Sequence, residues 1–477
     1  MKKDCFNRLA KLLSFFVLLV SFFTMSCGHS KMKLRPDIFL IYVDDLRPEL
    51  GAYGNEVIQS PHIDRLAEDA LVFNKAYATI PVCGASRACM LSGVMPNRSR
   101  FLGYLGNAQK EVPDAITFPQ YLKENGYKTL SLGKVFHTLS DSEYAWSEPP
   151  YRGPKKSNKD YALQENIDID NNNPRRRAGF YEVADTVDEA YLDGKLALKA
   201  IAKLKQNNEI DSSLFMAVGF WKPHLPFNAP KQYWDLYNTT DIPFPSNYFI
   251  PENAPGSSLH QFEELRSYTD VPNDTLPLDS ALVRKLVHGY YASVSYVDRQ
   301  IGLFIQALKD EGRYDNSIII LVGDHGWFLG EHTLWCKHAN YENALRTALM
   351  IKFPNSHRNG YSNLPVGLAE IYPSLMEMIE LEIPETVDMP SFIDMIDASN
   401  QEKAQKAVYC RYENGETLIK GKYAYTEYYN DKGELYGSML YDHDIDPQEN
   451  RNIVDEVDPS IVKGLSEELA KNIKKYQ

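Results

Sequence analysis

The sequence predicts an α/β fold: a large, mostly parallel sheet flanked by helices, with a smaller antiparallel sheet near the C-terminus. Three observations carry this reading. Two apolar runs, "DIFLIYVDD" (37–45) and "NSIIILVGDHGWFLGEH" (316–332), read as buried parallel strands that end in acidic residues. Long amphipathic segments at 186–207 and 282–312 separate strand-like runs, so strand and helix alternate along the chain. From about residue 405 the pattern shifts to short, tyrosine-rich alternation with Gly and Asn-Asp-Lys-Gly turns, as in "AVYCRY", "TLIKGKYAYTEYY" and "SMLYD".

The elements follow in order. Lys2, Lys3, Arg8 and Lys11 make a basic start, and "LLSFFVLLVSFF" (12–23) is an apolar core too short for a comfortable membrane span. "TMSC" then ends on Cys27. Residues 1–26 therefore read as a signal peptide of lipoprotein type, with Cys27 the first mature residue. The expected location is periplasmic, or attached to the outer membrane of a Gram-negative bacterium through an N-terminal lipid anchor. "SPHIDRLAEDALVFNKAYA" (60–78) opens with Ser60 as a helix cap and Pro61 in the first turn. "TFPQYLKENGYKTLSLGKVFH" (117–137) is helix, glycine stop and strand, leading to Lys134 and His137. "SLFMAVGFWKPHLPF" (213–227) is a strand followed by a proline-rich turn that holds Lys222 and His224. The stretches 138–185 and 228–280 are long and irregular, and loops of that length in a compact domain are functional or disordered. A terminal helix is expected over 460–475. The domain organisation is thus a leader (1–26), a catalytic domain (34–400) and a C-terminal subdomain (401–477).

Composition narrows the function classes. The formal charge is −13, and removing the four basic residues and Asp4 of the leader leaves −16. A sequence-wide basic footprint for nucleic acid is absent. A polyanionic substrate needs a locally basic site instead. Beyond Cys5 and Cys27, the cysteines are Cys83, Cys89, Cys336 and Cys410, too few for a disulfide scaffold.

In an open parallel sheet, ligands bind beyond the carboxyl ends of the strands. Asp44, Asp45, Asp324 and His325 sit at such ends. Converging carboxylates repel unless a divalent cation joins them, and oxygen-rich ligation favours Ca²⁺, or Mg²⁺, over zinc. "VCGASRACMLSG" (82–93) places Cys83 at the start of an expected helix, where free amides and the helix dipole favour anions, with Arg87 one turn on. Lys134, Lys222, Lys337, His137 and His224 each follow a strand-like segment. A cation, a nucleophile position and several positive donors suit a tetrahedral oxyanion.

These residues resemble a known family. The chain looks like a type I sulfatase of the alkaline phosphatase superfamily, and most like its iduronate-2-sulfatase branch. "CGASRACMLSG" resembles the signature Cys-x-Pro/Ala-Ser-Arg with a Leu-x-Thr-Gly ending, Ser92 standing where Thr is usual. "VDDLRPELGAYG" (43–54), "GKVFH" (133–137), "WSEPPY" (146–151), "VGFWKPHLPF" (218–227), "GDHGWFLGEHTLWCKH" (323–338) and "LYDHDIDPQENRNI" (440–453) resemble that branch in the same order.

The resemblance implies that Cys83 is oxidised to formylglycine by a formylglycine-generating or anaerobic sulfatase-maturating enzyme. One hydroxyl of the hydrated aldehyde attacks sulfur, and the other then lets sulfate leave. It implies Asp44, Asp45, Asp324, His325 and modified Cys83 as metal ligands, and Arg87 as the residue fixing the gem-diol. Lys134 and Lys337 hold sulfate oxygens. His137 takes a proton from the second hydroxyl, and His224 protonates the leaving alcohol with Lys222 beside it. Trp327 walls the sugar pocket. The substrate expected is a sulfated oligosaccharide, a 2-O-sulfated uronic acid of a glycosaminoglycan first and another sulfated polysaccharide, such as an algal one, second. The basic residues of the loop after His137, among them Arg152, Lys159 and the run Arg175, Arg176, Arg177, are expected either to meet that polyanion or to be a solvated face. Two further classes are a phosphatase or phosphonate hydrolase on the same fold and an inactive carbohydrate-binding lipoprotein. The first uses a serine or threonine nucleophile or two zinc ions held by several histidines, and few histidines here follow strands. The second needs a broken motif set, and every expected position is filled.

Overall fold

The computed structural model describes residues 35–154, 159–173, 177–210, 212–261, 263–273 and 277–477. The leader with Cys27, and Arg175 and Arg176, lie outside the described residues. Seven strands form the main sheet: β1 (Asp37–Val43), β2 (Leu71–Phe73), β3 (Lys128–Gly133), β4 (Leu214–Phe220), β5 (Ser317–Gly323), β6 (Leu349–Lys352) and β7 (Gly360–Ser362). Their order is β7-β2-β6-β5-β1-β4-β3. β6 alone is antiparallel to its neighbours β5 and β2, and the other pairings are parallel.

The sheet is buried on both faces, which is why its central strands are continuously apolar rather than alternating. Successive β1 residues point to opposite cores. Phe39, Ile41 and Val43 enter one, while Ile38, Leu40 and Tyr42 enter the other. The first core is closed by α1 (Pro61–Glu68) and by two longer helices farther along the chain. The second is closed by α2 (Cys83–Ser92) and α3 (Phe118–Glu124). The longer pair are α4 (Leu192–Gln206) and α5 (Ser280–Asp310). α6 (Ile371–Met378) completes the second face.

Local starts differ from the sequence reading in two places. Ser60 does not cap α1. Its hydroxyl accepts from the Gly51 N–H at 3.1 Å and donates to Asp64, so Pro61 starts the helix without a side-chain cap. α4 begins at Leu192 rather than near 186, because the Asp160 carboxylate accepts the Leu192 N–H at 2.6 Å while Tyr191 stays extended. α5 is capped locally, with Asp279 accepting from the N–H groups of Ala281 and Leu282.

The C-terminal sheet is a meander of β8 (Ala407–Tyr412), β9 (Gly415–Lys420), β10 (Tyr423–Tyr429) and β11 (Leu435–Asp442), antiparallel throughout. Alternation splits its faces. Tyr409, Leu418, Tyr425 and Leu440 pack under the terminal helix α7 (Pro459–Tyr476) through Leu465, Leu469 and Tyr476. Val408, Cys410, Ile419 and Ala424 pack against Tyr77 and Leu345 of the main body. No helix among the described residues is long and apolar enough to cross a membrane.

After β11 the chain is pinned back to the body. Glu449 accepts His443 Nε2 at 3.0 Å and the Glu342 N–H at 2.7 Å. Burial opposes the charge on His443, but the Glu449 hydrogen bond and the nearby carboxylates win and push it up to about 9. A histidine raised in the folded state contributes stability that is complete below its unfolded value and is lost as pH rises through the folded one. The pair is therefore expected to contribute roughly 2–3 kcal/mol below pH ~6.5 and to lose it by pH ~10. Denaturant unfolding of wild type and His443→Gln at pH 6, 8 and 10 checks this. The variant should lose less stability across that range, and identical pH dependence in both proteins would remove the His443–Glu449 pair as the cause.

Candidate active site

The C-terminal ends of four adjacent strands, β5-β1-β4-β3, converge on one spot. β1 delivers Asp44 and Asp45, β5 delivers Asp324 and His325, β3 leads to Lys134 and His137, and β4 leads to Lys222 and His224. Asp44, Asp45, Asp324 and His325 are fully buried. Cys83 is the first residue of α2, its helix N-terminus turned toward the strand ends. The segment is tightly placed: a Cβ at Gly84 would lie 2.0 Å from the Tyr104 carbonyl oxygen, so only glycine lets α2 start here.

Arg87, one turn into α2, is completely buried and joins two strand ends. Its Nε donates to Asp324 at 3.0 Å and its Nη2 to Asp44 at 3.0 Å, while Nη1 reaches the carbonyls of Lys134 and Val135. The guanidinium also lies 4.2 Å from the Tyr42 ring centre. Its side chain thus spans the carboxylates, while the Cys83 sulfur is met by His325 Nε2 at 3.2 Å. Lys134 Nζ donates to Asp44 at 2.5 Å. Burial alone would raise Asp44, but Lys134 and then Arg87 override it and hold the carboxyl well below its ordinary value.

Asp45 has a different balance. Burial pushes it up to about 7, with Lys337, 3.2 Å from both its oxygens, the largest opposing charge. Its carboxylate lacks enough positive charge around it. The donor atoms of Asp45, Cys83, Asp324 and His325 lie within 4.8 Å of one another, and those of Asp44, Cys83 and His224 form an overlapping group. His325 Nδ1 donates to the Gly326 carbonyl at 2.9 Å, which turns Nε2 toward this centre and the Cys83 sulfur. Several carboxylate oxygens with an under-compensated acid fit a divalent cation, and hard, oxygen-binding Ca²⁺ or Mg²⁺ most of all. Burial raises the Cys83 thiol well above its ordinary value despite Lys134 and Lys337.

His137 and His224 flank the cavity beside this centre. It holds about 250 Å³ and is lined by Asp44, Lys134, His137, Lys159, Lys222 and His224, among others. Burial, then the Lys134 charge, pushes His137 down to about 2, and its Nδ1 is buried without a partner among the described residues. His224 is pushed down to about 4 by burial and then Lys337. Its Nδ1 donates to the Leu225 carbonyl at 2.6 Å, in a turn with cis peptides before Pro223 and Pro226. Asp193 in α4 holds that turn by accepting the N–H groups of Trp221 and Lys222 at 3.0 and 2.8 Å.

Three expected residues sit differently from the sequence reading. Lys222 lines the cavity, but its ammonium donates to the carbonyls of His224 and Pro226, so it shapes the turn. Trp327, expected as a cavity wall, is 1% exposed. Its ring stacks on Tyr290 at 6.5 Å and lies beneath Lys337 Nζ at 4.9 Å, so it forms the floor under that lysine. Arg177 stacks over Tyr268 and approaches Glu264 at 3.9 Å. Glu264 itself, from the long 228–280 stretch, was not foreseen. Its carboxylate lies 3.1 Å from Lys337 Nζ and 3.3 Å from His224 Nε2; burial would raise it, but Lys337 and then His224 hold it well below its ordinary value. The only signal in the sequence was the length of that loop.

Comparison with known proteins agrees with this centre. Residues 36–381 match the family model described as Sulfatase, and residues 330–475 match that of the N-sulphoglucosamine sulphohydrolase C-terminal region. The chain is 32% identical over 395 residues to iduronate 2-sulfatase of Mus musculus, covering 75% of this chain and 71% of that one. Two solved structures share the fold. One is a protein in complex with its substrate D-glucosamine-2-N,6-O-disulfate (TM-score 0.73, 21% identity, 93% of this chain and 98% of that one). The other is a 2-O glycosaminoglycan sulfatase (TM-score 0.65, 19% identity, 91% and 90%). With the family model matching most of its length and a relative at 32% identity across most of both chains, this chain belongs to the sulfatase family, hydrolases of sulfuric esters.

Proposed function

We propose that this sulfatase removes the 2-O-sulfate of a uronic acid in a glycosaminoglycan chain, using a divalent cation and a formylglycine made from Cys83. The observation that carries the chemistry is Cys83 at the start of α2, facing the convergent donors of Asp45, Asp324 and His325. The substrate reading is supported by the identity to iduronate 2-sulfatase and by the cations around the cavity. Export as a lipoprotein, with a maturation enzyme acting on Cys83, belongs to the same reading. It is supported by the basic and apolar leader that ends on Cys27.

Asp44, Asp45, Asp324 and His325 hold the cation in this reading. Bound there, Ca²⁺ or Mg²⁺ polarises the sulfate oxygens, and formylglycine, once hydrated, supplies the attacking hydroxyl. The remaining roles belong to the chain's own side chains. Lys134 and Lys337 bind sulfate oxygens, each preset by an ion pair to Asp44 or Asp45. Arg87 holds Asp44 and Asp324 in register through two buried ion pairs, and so positions residue 83 indirectly. In this reading the leaving sugar oxygen takes its proton through His224 Nε2, which faces the Glu264 carboxylate at 3.3 Å. His137, a neutral imidazole with a free nitrogen, accepts a proton from residue 83.

Four measurements test this reading. On a panel of defined sulfated di- and oligosaccharides, free sulfate should appear first from uronate 2-O-sulfates, then from other glycan sulfates, and least from small aryl sulfates. Cys83→Ala should lower every rate by about 10³-fold or more without changing the unfolding midpoint. Good turnover of neutral-sugar sulfates with none of uronate 2-O-sulfates would sink the substrate assignment. Near wild-type release by Cys83→Ala would sink the nucleophile. Exhaustive chelation should abolish activity, and Ca²⁺ or Mg²⁺ should restore it better than Zn²⁺ because the donors are mainly carboxylates. Full activity in metal-free protein, verified by elemental analysis, contradicts the cation site. His224→Ala should slow sugar-sulfate hydrolysis by roughly 10²–10⁴-fold and an activated aryl sulfate far less, since the aryl oxide leaves without a proton. Equal losses on both substrates would take the proton-donor role away from His224.

A further inference from the structure

The acids on the cavity wall are all engaged. Asp44 pairs with Lys134 and Arg87, Asp193 accepts two main-chain amides, and Asp160 accepts the Leu192 N–H. Two cations lining the same cavity make no ion pair among the described residues: Arg152 donates to the carbonyls of Phe136 and His137, and nothing accepts from the Lys159 ammonium, on which Glu264 acts only at longer range. Burial, then Arg177, pushes Lys159 down to about 8, so this charge is already stripped of much of its water.

Its backbone is fixed from several sides. The Lys159 N–H donates to Asp170 at 2.8 Å. The fully buried Asn228 donates its amide to the carbonyls of both Lys159 and Asp160, at 3.2 and 3.1 Å. Asp160 adopts a left-handed conformation at φ 61° while its carboxylate caps α4. A solvated surface lysine needs none of these restraints. They hold Lys159 on a cavity that Lys134 and His137 also line, its ammonium in no ion pair among the described residues.

We propose that Lys159, with Arg152 on the same cavity, forms a second anion subsite that takes an oxyanion of the sugar other than the sulfate being removed. The occupant is the carboxylate of the uronic acid. This rests on the sulfatase reading above and deepens it by naming the side chain that separates an acidic sugar from a neutral one. A second sulfate carries the same oxyanion chemistry, and the experiment tells the two apart.

The test is calorimetric titration of the full chain carrying Cys83→Ala, which binds without turnover, with and without Lys159→Met. The probes are a 2-O-sulfated uronate disaccharide, its carboxyl-reduced counterpart, and mono- and disulfated glucosamine. The background protein should bind the carboxylate form about 10–100-fold more tightly than the reduced form, as for a charged hydrogen bond. Lys159→Met should shrink that ratio to within about 3-fold, while Lys159→Arg, which keeps the charge, should retain most of it. A full ratio in Lys159→Met overturns the role of Lys159 and leaves the uronate reading standing. If carboxylate earns no preference but the disulfated sugar does, and Lys159→Met removes that preference, the subsite holds and the uronate reading falls. No preference for any added anion overturns the subsite.

Discussion

The structure depends on placing three carboxylates, Asp44, Asp45 and Asp324, in a dry interior at the ends of neighbouring strands. An uncompensated buried charge costs several kcal/mol, so the surrounding positions are constrained by it. Arg87 answers two of the three at once, which fixes where α2 lies relative to β1 and β5. That placement brings α2 close enough to the chain at Tyr104 to require Gly84. Lys134 reaches Asp44 only because β3 and β4 end in close contact. A Cβ at Gly219 would lie 2.1 Å from the Lys134 carbonyl oxygen. Asp45 is the acid left under-compensated, and it is the one that shares donors with Cys83 and His325.

Much of the fold was legible because the central strands carry a strong signal. β1, β4 and β5 are long apolar runs buried on both faces, and each ends on residues too polar to continue. The amphipathic helices α4 and α5 were equally plain. What stayed hidden was set by distant partners. The direction of β6 cannot be read from four residues, "LMIK", that are buried throughout and bear no period. The first residue of α4 is fixed by Asp160, 32 positions upstream, and not by any local cap. Ser60 has the sequence of a cap but finds a better partner in the Gly51 amide.

The site divides in the same way. Residues that follow strands were found because the sheet gathers strand ends, so Asp44, Lys134, His224 and Asp324 needed only a correct strand assignment. Lys159, Arg152 and Glu264 come from the long irregular stretches, where no period says which side chain turns inward. Length marked their stretches as functional or disordered, and charge alone singled out Arg152 and Lys159 within theirs. Trp327 shows the opposite error. An aromatic residue just past Asp324 suggests a sugar platform, yet Trp327 is buried, with Tyr290 and Lys337 packed against its ring. Arg177 lies over Tyr268 and approaches Glu264 at 3.9 Å, with its side chain still 30% exposed.

The charges are layered, and the layering resolves a conflict in the composition. The chain is acidic overall, at −13, yet the reading above gives it a polyanionic substrate. Acids occupy the innermost layer around Cys83, where they suit a cation. Lys134 and Lys337 pair with those acids, and Arg152 and Lys159 line the adjoining cavity with Lys134. Surface acids beyond about 8–10 Å are screened by physiological salt, while partly buried cations in a cavity are screened far less. A sulfated sugar in the cavity therefore meets these cations with little screening. Glu264 tempers this positive charge: by holding Lys337, His224 and Arg177 together it keeps three basic side chains from splaying apart when no anion is bound. The long loop that carries Glu264 is thus tied to the same charge balance that orders the strand ends.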